Sequence, residues 1–185
     1  MLISNEWLKD YVNVDQSVQA LAERITRTGI EVDDIIDYTK DIKKLVVGHV
    51  LSKTPHPNAD KLNICQVDLG EEEPVQIVCG APNVDEGQHV IVAKVGGRLP
   101  GGVKIKRAKL RGERSEGMIC SLQEIGISSH VTPKNYESGI YVFPEAVKPG
   151  TDALEALYLN DQVMEFDLTP NRADALSMIG TAYEV

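Results

Sequence analysis

Basic side chains are concentrated in one short stretch of this 185-residue sequence, between positions 98 and 114. The stretch holds seven basic residues and a single acidic residue, Glu113. Lysine and arginine bind phosphate oxygens, and release of the counterions condensed on a polyanion strengthens that binding. A run of charges is otherwise often only a solvated face, so both interpretations are open at this point. The predicted phosphate-binding residues are Lys104, Lys106, Arg107, Lys109, Arg111 and Arg114, with Lys61 and Arg98 as nearby candidates.

Strand geometry constrains how this stretch could present its charges. In one continuous strand, Lys104 and Lys106 would point to one side, whereas Arg107 and Lys109 would point to the other. A single cationic face therefore requires a bulge or a strand break near residues 107–108.

Aromatic side chains are absent from the same region. No Phe, Tyr or Trp occurs between Lys40 and Asn135. Barrels that hold single-stranded nucleic acid do so by stacking bases on aromatic side chains. If this region binds RNA, we therefore expect it to contact the backbone and the folded shape.

The charge distribution shows where a polyanion could approach. The chain carries 19 basic and 28 acidic residues, a formal net charge of −9 at pH 7. Residues 1–38 hold three basic and eight acidic groups, and residues 149–185 hold one and seven. Residues 39–148 hold fifteen basic and thirteen acidic groups. The sequence thus indicates a near-neutral module with one cationic edge, placed between two acidic flanks.

Other patterns in the sequence give weaker evidence of chemistry. The glycine-rich residues 96–102 match neither the dinucleotide-binding pattern nor the Walker pattern, and no helix signal follows them. Cys65, Cys79 and Cys120 are widely spaced and lie in apolar runs, which favours small buried residues over metal ligands. A cysteine hydrolase built on Cys120 and His130 would need a pairing that sequence cannot show. We therefore predict no catalytic and no metal-binding residue in this chain.

The elements that must position the basic stretch are short β-rich runs at roughly ten-residue intervals, separated by Gly, Pro, Asn and Asp. Such spacing indicates a small closed barrel. Both acidic flanks instead combine helical and strand patterns. We predict a mainly β protein with α+β flanks, in which residues 40–150 form a barrel inserted into a discontinuous α+β domain made of residues 1–39 and 151–185. The predicted barrel strands are 45–51, 62–69, 75–79, 89–95, 103–109, 118–120 and 140–143.

Several features indicate the compartment. No apolar run approaches the ~18 residues that a membrane helix needs, and the N-terminus does not resemble a secretory signal. An odd number of widely spaced cysteines argues against a disulfide framework, so a cytoplasmic protein is predicted. The last helical pattern stops at Val185 without a glycine or proline, which predicts that the chain is part of a longer protein.

Five segments of the middle block match a known pattern in order. Residues 47–52, 56–62, 76–83, 104–112 and 115–121 together resemble the tRNA-binding module of the OB-fold class that is appended to several aminoacyl-tRNA synthetases. The flanks are similar to those of the bacterial phenylalanyl-tRNA synthetase beta-subunit family. That similarity rests on residues 1–8 and 168–172 and on Asp174, Leu176, Ser177 and Gly180.

The resemblance implies both a fold and a function. It implies an OB-fold barrel that binds tRNA, in the N-terminal part of a beta subunit. The family enzyme is a heterotetramer of two alpha and two beta subunits that joins phenylalanine to its tRNA with ATP and magnesium. Its aminoacylation site lies in the alpha subunit, so this part would contribute non-catalytic tRNA binding and hold no cofactor. Neither DNA nor membrane is an expected partner.

Two other classes of function stay open. The chain could be a free-standing tRNA-binding or chaperone-like OB protein whose acidic flanks form a dimer surface. It could also be a structural module that contacts other proteins, because a net charge of −9 opposes approach to RNA. Mapping the lysines that tRNA protects would separate these possibilities.

Overall fold

The computed structural model describes all 185 residues, and the chain divides into two compact units. The first, called here the flank unit, contains Met1–Lys40 and Asn160–Val185. The second, called here the barrel unit, contains Asp41–Leu159. None of the helices has the length and apolar character needed to cross a membrane.

The regular elements are short, and most of them are strands. In chain order they are β1 (Leu2–Ser4), α1 (Asn5–Leu8), α2 (Val18–Thr28), β2 (Glu31–Asp37), β3 (Lys43–Pro55), β4 (Asn63–Asp68), β5 (Val75–Cys79), β6 (His89–Leu99), β7 (Val103–Lys104), β8 (Ala108–Leu110), β9 (Glu113–Ser115), β10 (Gly117–Ile119), α3 (Ala153–Ala156), β11 (Gln162–Asp167) and α4 (Met178–Glu184). Single 3₁₀ turns lie at Pro100–Gly102, Lys134–Tyr136 and Ala173–Ala175.

The flank unit consists of a three-stranded antiparallel sheet and short helices. Strand β11 lies between β1 and β2, so segments from both ends of the chain share one sheet. The Ser17 hydroxyl accepts a hydrogen bond from the Ala20 amide and so caps α2. One turn apart on α2, Leu21 and Ile25 are buried in the same apolar core as Phe166 of β11.

The barrel unit is an OB-like β fold. Strands β10, β6, β3, β4 and β5 form one antiparallel sheet in that order, and β7 pairs with β6. The sheet closes where the chain after β9 returns to β5, because the Glu116 amide donates to the Gln76 carbonyl at 2.8 Å. Val47, Ile91 and other apolar residues fill the interior with almost no solvent exposure. The predicted fold class, mainly β with α+β flanks, is confirmed.

The second boundary between the units differs from the predicted one. The structure places residues 151–159 in the barrel unit, whereas the sequence interpretation assigned them to the flank. The Val47 amide donates to the Thr151 carbonyl at 2.8 Å, and Ala153 and Leu154 of α3 are buried in the barrel core. An amphipathic helix of this length has an apolar face that suits either core, so its sequence does not identify the unit it packs on.

Candidate nucleic-acid interface

Strands β8 and β9 form a two-stranded hairpin that carries much of the predicted cationic edge. Its register sets Lys109 directly opposite Arg114, so both side chains leave the same face of the hairpin. Arg111 and Gly112 make the connecting turn, with positive φ angles of 51° and 103°. A two-residue turn with both φ angles positive matches the twist of paired strands, and glycine adopts this conformation without strain.

The structure contains the strand break that a single cationic face requires, and the predicted single strand over residues 103–109 is wrong. Instead of one strand over residues 103–109, β7 ends at Lys104 and β8 begins at Ala108. Between them, Ile105 is buried and its amide donates to the Gly97 carbonyl at 3.0 Å. Lys106 and Arg107 lie on this connecting segment and are exposed. Because of the break, the directions of the side chains in the hairpin do not follow the alternating pattern of β7.

Two side chains of the preceding loop hold the hairpin at its tip. His56 is buried, and its Nε2 lies 3.0 Å from the Leu110 carbonyl oxygen. Its Nδ1 accepts a hydrogen bond of 3.0 Å from the Asn58 amide, so Nε2 carries the proton and donates to Leu110. The Asn58 side-chain amide donates to the Arg111 carbonyl at 3.3 Å. Residues from the segment 56–62 therefore hold the tip of the hairpin.

Strand β5 holds the same hairpin at its base. Gln76 Nε2 donates to the Arg114 carbonyl at 2.9 Å. The buried Ser115 hydroxyl accepts from the Val78 amide at 3.1 Å and donates to the Gly117 carbonyl at 3.0 Å. Gln76 Nε2 also lies 3.4 Å from Glu113 Oε2. The hairpin is thus fixed at both ends without using its cationic side chains, which stay free of these hydrogen bonds.

The remaining predicted residues lie apart from the hairpin. Arg98 on β6 is directly opposite Lys104 on β7, and both are exposed. Lys61 is exposed in the loop that also contains His56. Lys43 was not among the predicted residues, and β3 places it directly opposite Arg98 on the other side. Only the pairing of β3 with β6 reveals that position, since 55 residues separate Lys43 from Arg98 in the chain.

Most of these cations have no carboxylate partner. Arg107 is the exception, with Nε 3.3 Å from Glu116 Oε1. No carboxylate oxygen lies within 4.0 Å of the side-chain nitrogens of the other seven predicted residues. A groove of about 390 Å³ beside the hairpin is lined by Arg107, Ala108, Lys109, Arg114, Ser115 and Glu116. The arrangement can bind an anion without first breaking internal ion pairs, apart from that of Arg107.

The other candidate segments of the sequence have different environments. Burial above all, and then the negative charge of Glu124, raises the pKa of the Cys120 thiol to about 12, which disfavours a thiolate nucleophile. The glycine-rich residues 96–102 lead into β7 rather than into a helix, so they lack the helix N-terminus of a nucleotide-phosphate loop.

One group of carboxylates has the spacing of metal ligands. The side chains of Glu31, Asp33 and Asp167 in the flank unit each offer an oxygen within 4.8 Å of the other two. All three residues are exposed, and exposed acidic groups of this kind are common without an ion.

The chain is closely similar to known proteins, of which two serve as examples. The chain is 98% identical over all 185 residues to the "Phenylalanine--tRNA ligase beta subunit" of Staphylococcus epidermidis. It is 84% identical over the same length to the protein of that name from Staphylococcus aureus. In both comparisons the chain spans 23% of the relative's length.

The chain is also similar to a solved protein, and its barrel unit matches a family model. A solved MetRS related protein from Pyrococcus horikoshii is 24% identical, with 62% of this chain and 90% of that chain covered and a TM-score of 0.41. The family described as "Putative tRNA binding domain" matches residues 45–152, which include β3–β10 and the whole cationic hairpin. The match covers more than half of the residues of this chain, so the chain belongs to the tRNA-binding domain family.

Proposed function

We propose that the barrel unit binds tRNA without catalysing a reaction, through Lys61, Arg98, Lys104, Lys106, Arg107, Lys109, Arg111 and Arg114. The observation that carries the proposal is the cationic hairpin, where Lys109 lies opposite Arg114 and no carboxylate oxygen lies within 4.0 Å of either side-chain nitrogen group. Like charges placed directly opposite one another destabilise a strand pair. A bound phosphate removes that cost, whereas a solvated face gives no reason for the arrangement.

We further propose that this chain is the N-terminal part of a phenylalanine–tRNA ligase beta subunit. Its 98% identity to such a subunit over all 185 residues supports this, although the chain spans only 23% of that relative. On this proposal the whole enzyme is a cytoplasmic heterotetramer of two alpha and two beta subunits. It attaches phenylalanine to tRNA with ATP and Mg²⁺, which are bound outside this chain.

Within that enzyme, the barrel unit would add binding energy at a distance from the reacting groups. Contacts that are equally strong in the ground state and in the transition state lower KM without raising kcat. The cationic hairpin should therefore affect KM for tRNA and leave kcat unchanged. A role in chemistry would instead lower kcat.

The test is a charge-removal series in the 185-residue chain. Replacing Lys61, Lys106, Lys109 and Arg114 with Ala should weaken binding of a labelled tRNA transcript. The slope of log Kd against log salt concentration should fall by roughly 0.7–0.9 for each phosphate that the variant no longer neutralises. A two-residue control replaces Lys134 and Lys148, two exposed lysines of the barrel unit that lie outside the predicted edge, and its slope should stay unchanged.

An unchanged slope in the four-residue variant would show that the edge is only a solvated face. The same variant in the full-length beta subunit, assembled with its alpha subunit, should raise KM for tRNA at constant kcat. Weakened binding to a protein partner with unchanged tRNA binding would favour the structural-module alternative.

A further inference from the structure

A second group of cations lies on the barrel sheet, outside the hairpin. Across three neighbouring strands, Lys43 of β3 is opposite Arg98 of β6, and Arg98 is opposite Lys104 of β7. Directly opposite residues project from the same face, so the three side chains form one row. Lys44 adds a fourth charge, with Nζ 3.1 Å from the position that a Cβ on Gly96 would take. We call Lys43, Lys44, Arg98 and Lys104 the β3–β6–β7 cluster.

Nothing within the barrel unit neutralises this cluster. No carboxylate oxygen lies within 4.0 Å of any of the four side-chain nitrogen groups. Two successive like-charge pairs in cross-strand register are unfavourable. In addition, Lys44 has a φ of 59°, in the left-handed region that a lysine rarely adopts. A backbone irregularity between Lys43 and Leu45 accompanies it. Repulsion between like charges and an uncommon backbone conformation thus occur at the same place. Backbone strain is often found at binding sites.

The spacing of the cluster matches a polyanion better than an isolated anion. Neighbouring strands lie about 5 Å apart, so the row offers several positive charges at short intervals along one line. The backbone of a nucleic acid presents its negative charges at similarly short intervals. No Phe, Tyr or Trp occurs between residues 41 and 134. The cluster can therefore hold phosphates, but it provides no platform for stacked bases.

The cluster also lies close to the hairpin along the chain. Lys104 ends β7 and Ala108 begins β8, so their Cα atoms are at most about 14 Å apart even when the connection is fully extended. A few nucleotides of backbone cover that distance. We propose that the β3–β6–β7 cluster is a second phosphate-binding site, with Lys43 and Lys44 as new members, and that it contacts the same tRNA as the hairpin. This inference rests on the proposed tRNA binding by the barrel unit.

The experiment compares three double variants of the 185-residue chain, using fluorescence anisotropy with a labelled tRNA transcript over a range of salt concentrations. The cluster variant is Lys43→Gln with Lys44→Asn, since Asn tolerates the left-handed backbone at position 44. The hairpin variant is Lys109→Gln with Arg114→Gln. The control variant is Lys134→Gln with Lys148→Gln, which removes the same charge elsewhere in the barrel unit. A thermal melt by circular dichroism establishes that each variant is folded.

We expect the cluster variant to reduce the slope of log Kd against log salt concentration by roughly 1.4–1.8, the value for two phosphates that the variant no longer neutralises. The control should keep the original slope. Combined cluster and hairpin changes should reduce the slope additively, because both sites hold one RNA. A cluster variant that behaves like the control, while the hairpin variant loses slope, overturns this inference but leaves the proposed function intact. If neither variant changes the slope, the proposed function itself fails. Loss of binding to polyglutamate with unchanged tRNA binding would assign the cluster to an acidic protein and overturn the inference.

Discussion

His49 and His89 face each other across β3 and β6, with ring centroids 4.5 Å apart and ring planes 6° apart. Burial lowers the pKa of His89, and the neighbouring His49 lowers it further. The folded barrel therefore keeps His89 neutral at pH values where the unfolded chain binds a proton. The resulting stabilisation is present above the unfolded pKa of about 6.5 and is lost as the pH falls through the lower folded pKa.

An NMR titration of the histidine ring protons tests whether the pKa of His89 is lowered. The midpoint for His89 should lie below about 6.5, the value of an unperturbed histidine. In a His49→Gln variant the midpoint should rise only part of the way back, because burial of His89 remains the larger cause. A midpoint at or above the usual value in the original chain would contradict the stacked geometry.

At the scale of elements, the hairpin of β8 and β9 depends on its neighbours. All three residues of β8 are exposed, and a two-stranded hairpin is marginally stable by itself in water. Its order therefore comes from the contacts of His56 and Asn58 at the tip and of Gln76 and Ser115 at the base. These four residues lie in three of the five segments that carry the resemblance to the tRNA-binding module. Their common role is to hold cationic side chains that they do not themselves supply.

Replacing His56 with Ala should loosen this arrangement. The change removes the donor to the Leu110 carbonyl and the acceptor for the Asn58 amide, leaving two backbone groups without partners. Asn58 and Leu110 are exposed, so water can partly replace the lost partners, and each lost hydrogen bond should cost roughly 0.5–1.5 kcal/mol. The melting temperature should therefore fall and the amides of the hairpin should exchange faster. Binding of tRNA should weaken although no charge has been removed.

Asp60→Ala is the matched control for His56, because it changes an exposed residue of the same loop with no hydrogen bond to the hairpin. A His56→Gln variant should recover part of the affinity, since its side-chain amide can still donate to Leu110. If His56→Ala melts, exchanges and binds like the original chain, the hairpin does not depend on this contact.

The distance in sequence between contacting residues explains which features could be predicted. The basic residues 104–114 are a local feature, and so is the alternation that makes a single cationic face depend on a break near residues 107–108. Lys43 joins Arg98 only through strand pairing across 55 residues, and His56 reaches Leu110 across 54. Sequence patterns do not show which strand pairs with β3 or which segment contacts the loop of His56. These two contacts could therefore be found only in the structure. The position of residues 151–159 was missed because α3 carries an apolar face without information about its partner.

At the scale of the molecule, neither unit has a positive net charge. The flank unit contains five basic and thirteen acidic residues, and the barrel unit contains fourteen basic and fifteen acidic residues. Long-range attraction of RNA by the barrel unit as a whole is therefore not expected. Attraction has to come from the hairpin and the β3–β6–β7 cluster, and it is screened within about 10 Å at 0.1 M salt. Binding should thus be short-ranged and strongly dependent on salt.

Short-ranged binding through phosphate contacts favours RNA whose backbone is already folded. The barrel unit has one strongly exposed aromatic residue, Tyr158, and no other aromatic of similar exposure on which to stack successive bases. A folded tRNA holds neighbouring phosphates at fixed spacing, whereas a flexible strand must lose conformational freedom to present them. We therefore expect a tRNA transcript to compete for the barrel unit more effectively than an oligouridylate of equal length.

A competition assay against labelled tRNA measures this preference directly, and Tyr158→Ala provides the control for stacking. The variant should retain the same order of competition, because the preference comes from spaced cations and not from an aromatic platform. Equal competition by the two RNAs would mean that the cations respond only to total charge. If Tyr158→Ala weakened binding of the oligouridylate selectively, stacking would contribute. In that case the scarcity of aromatic residues would not determine which RNA this chain binds.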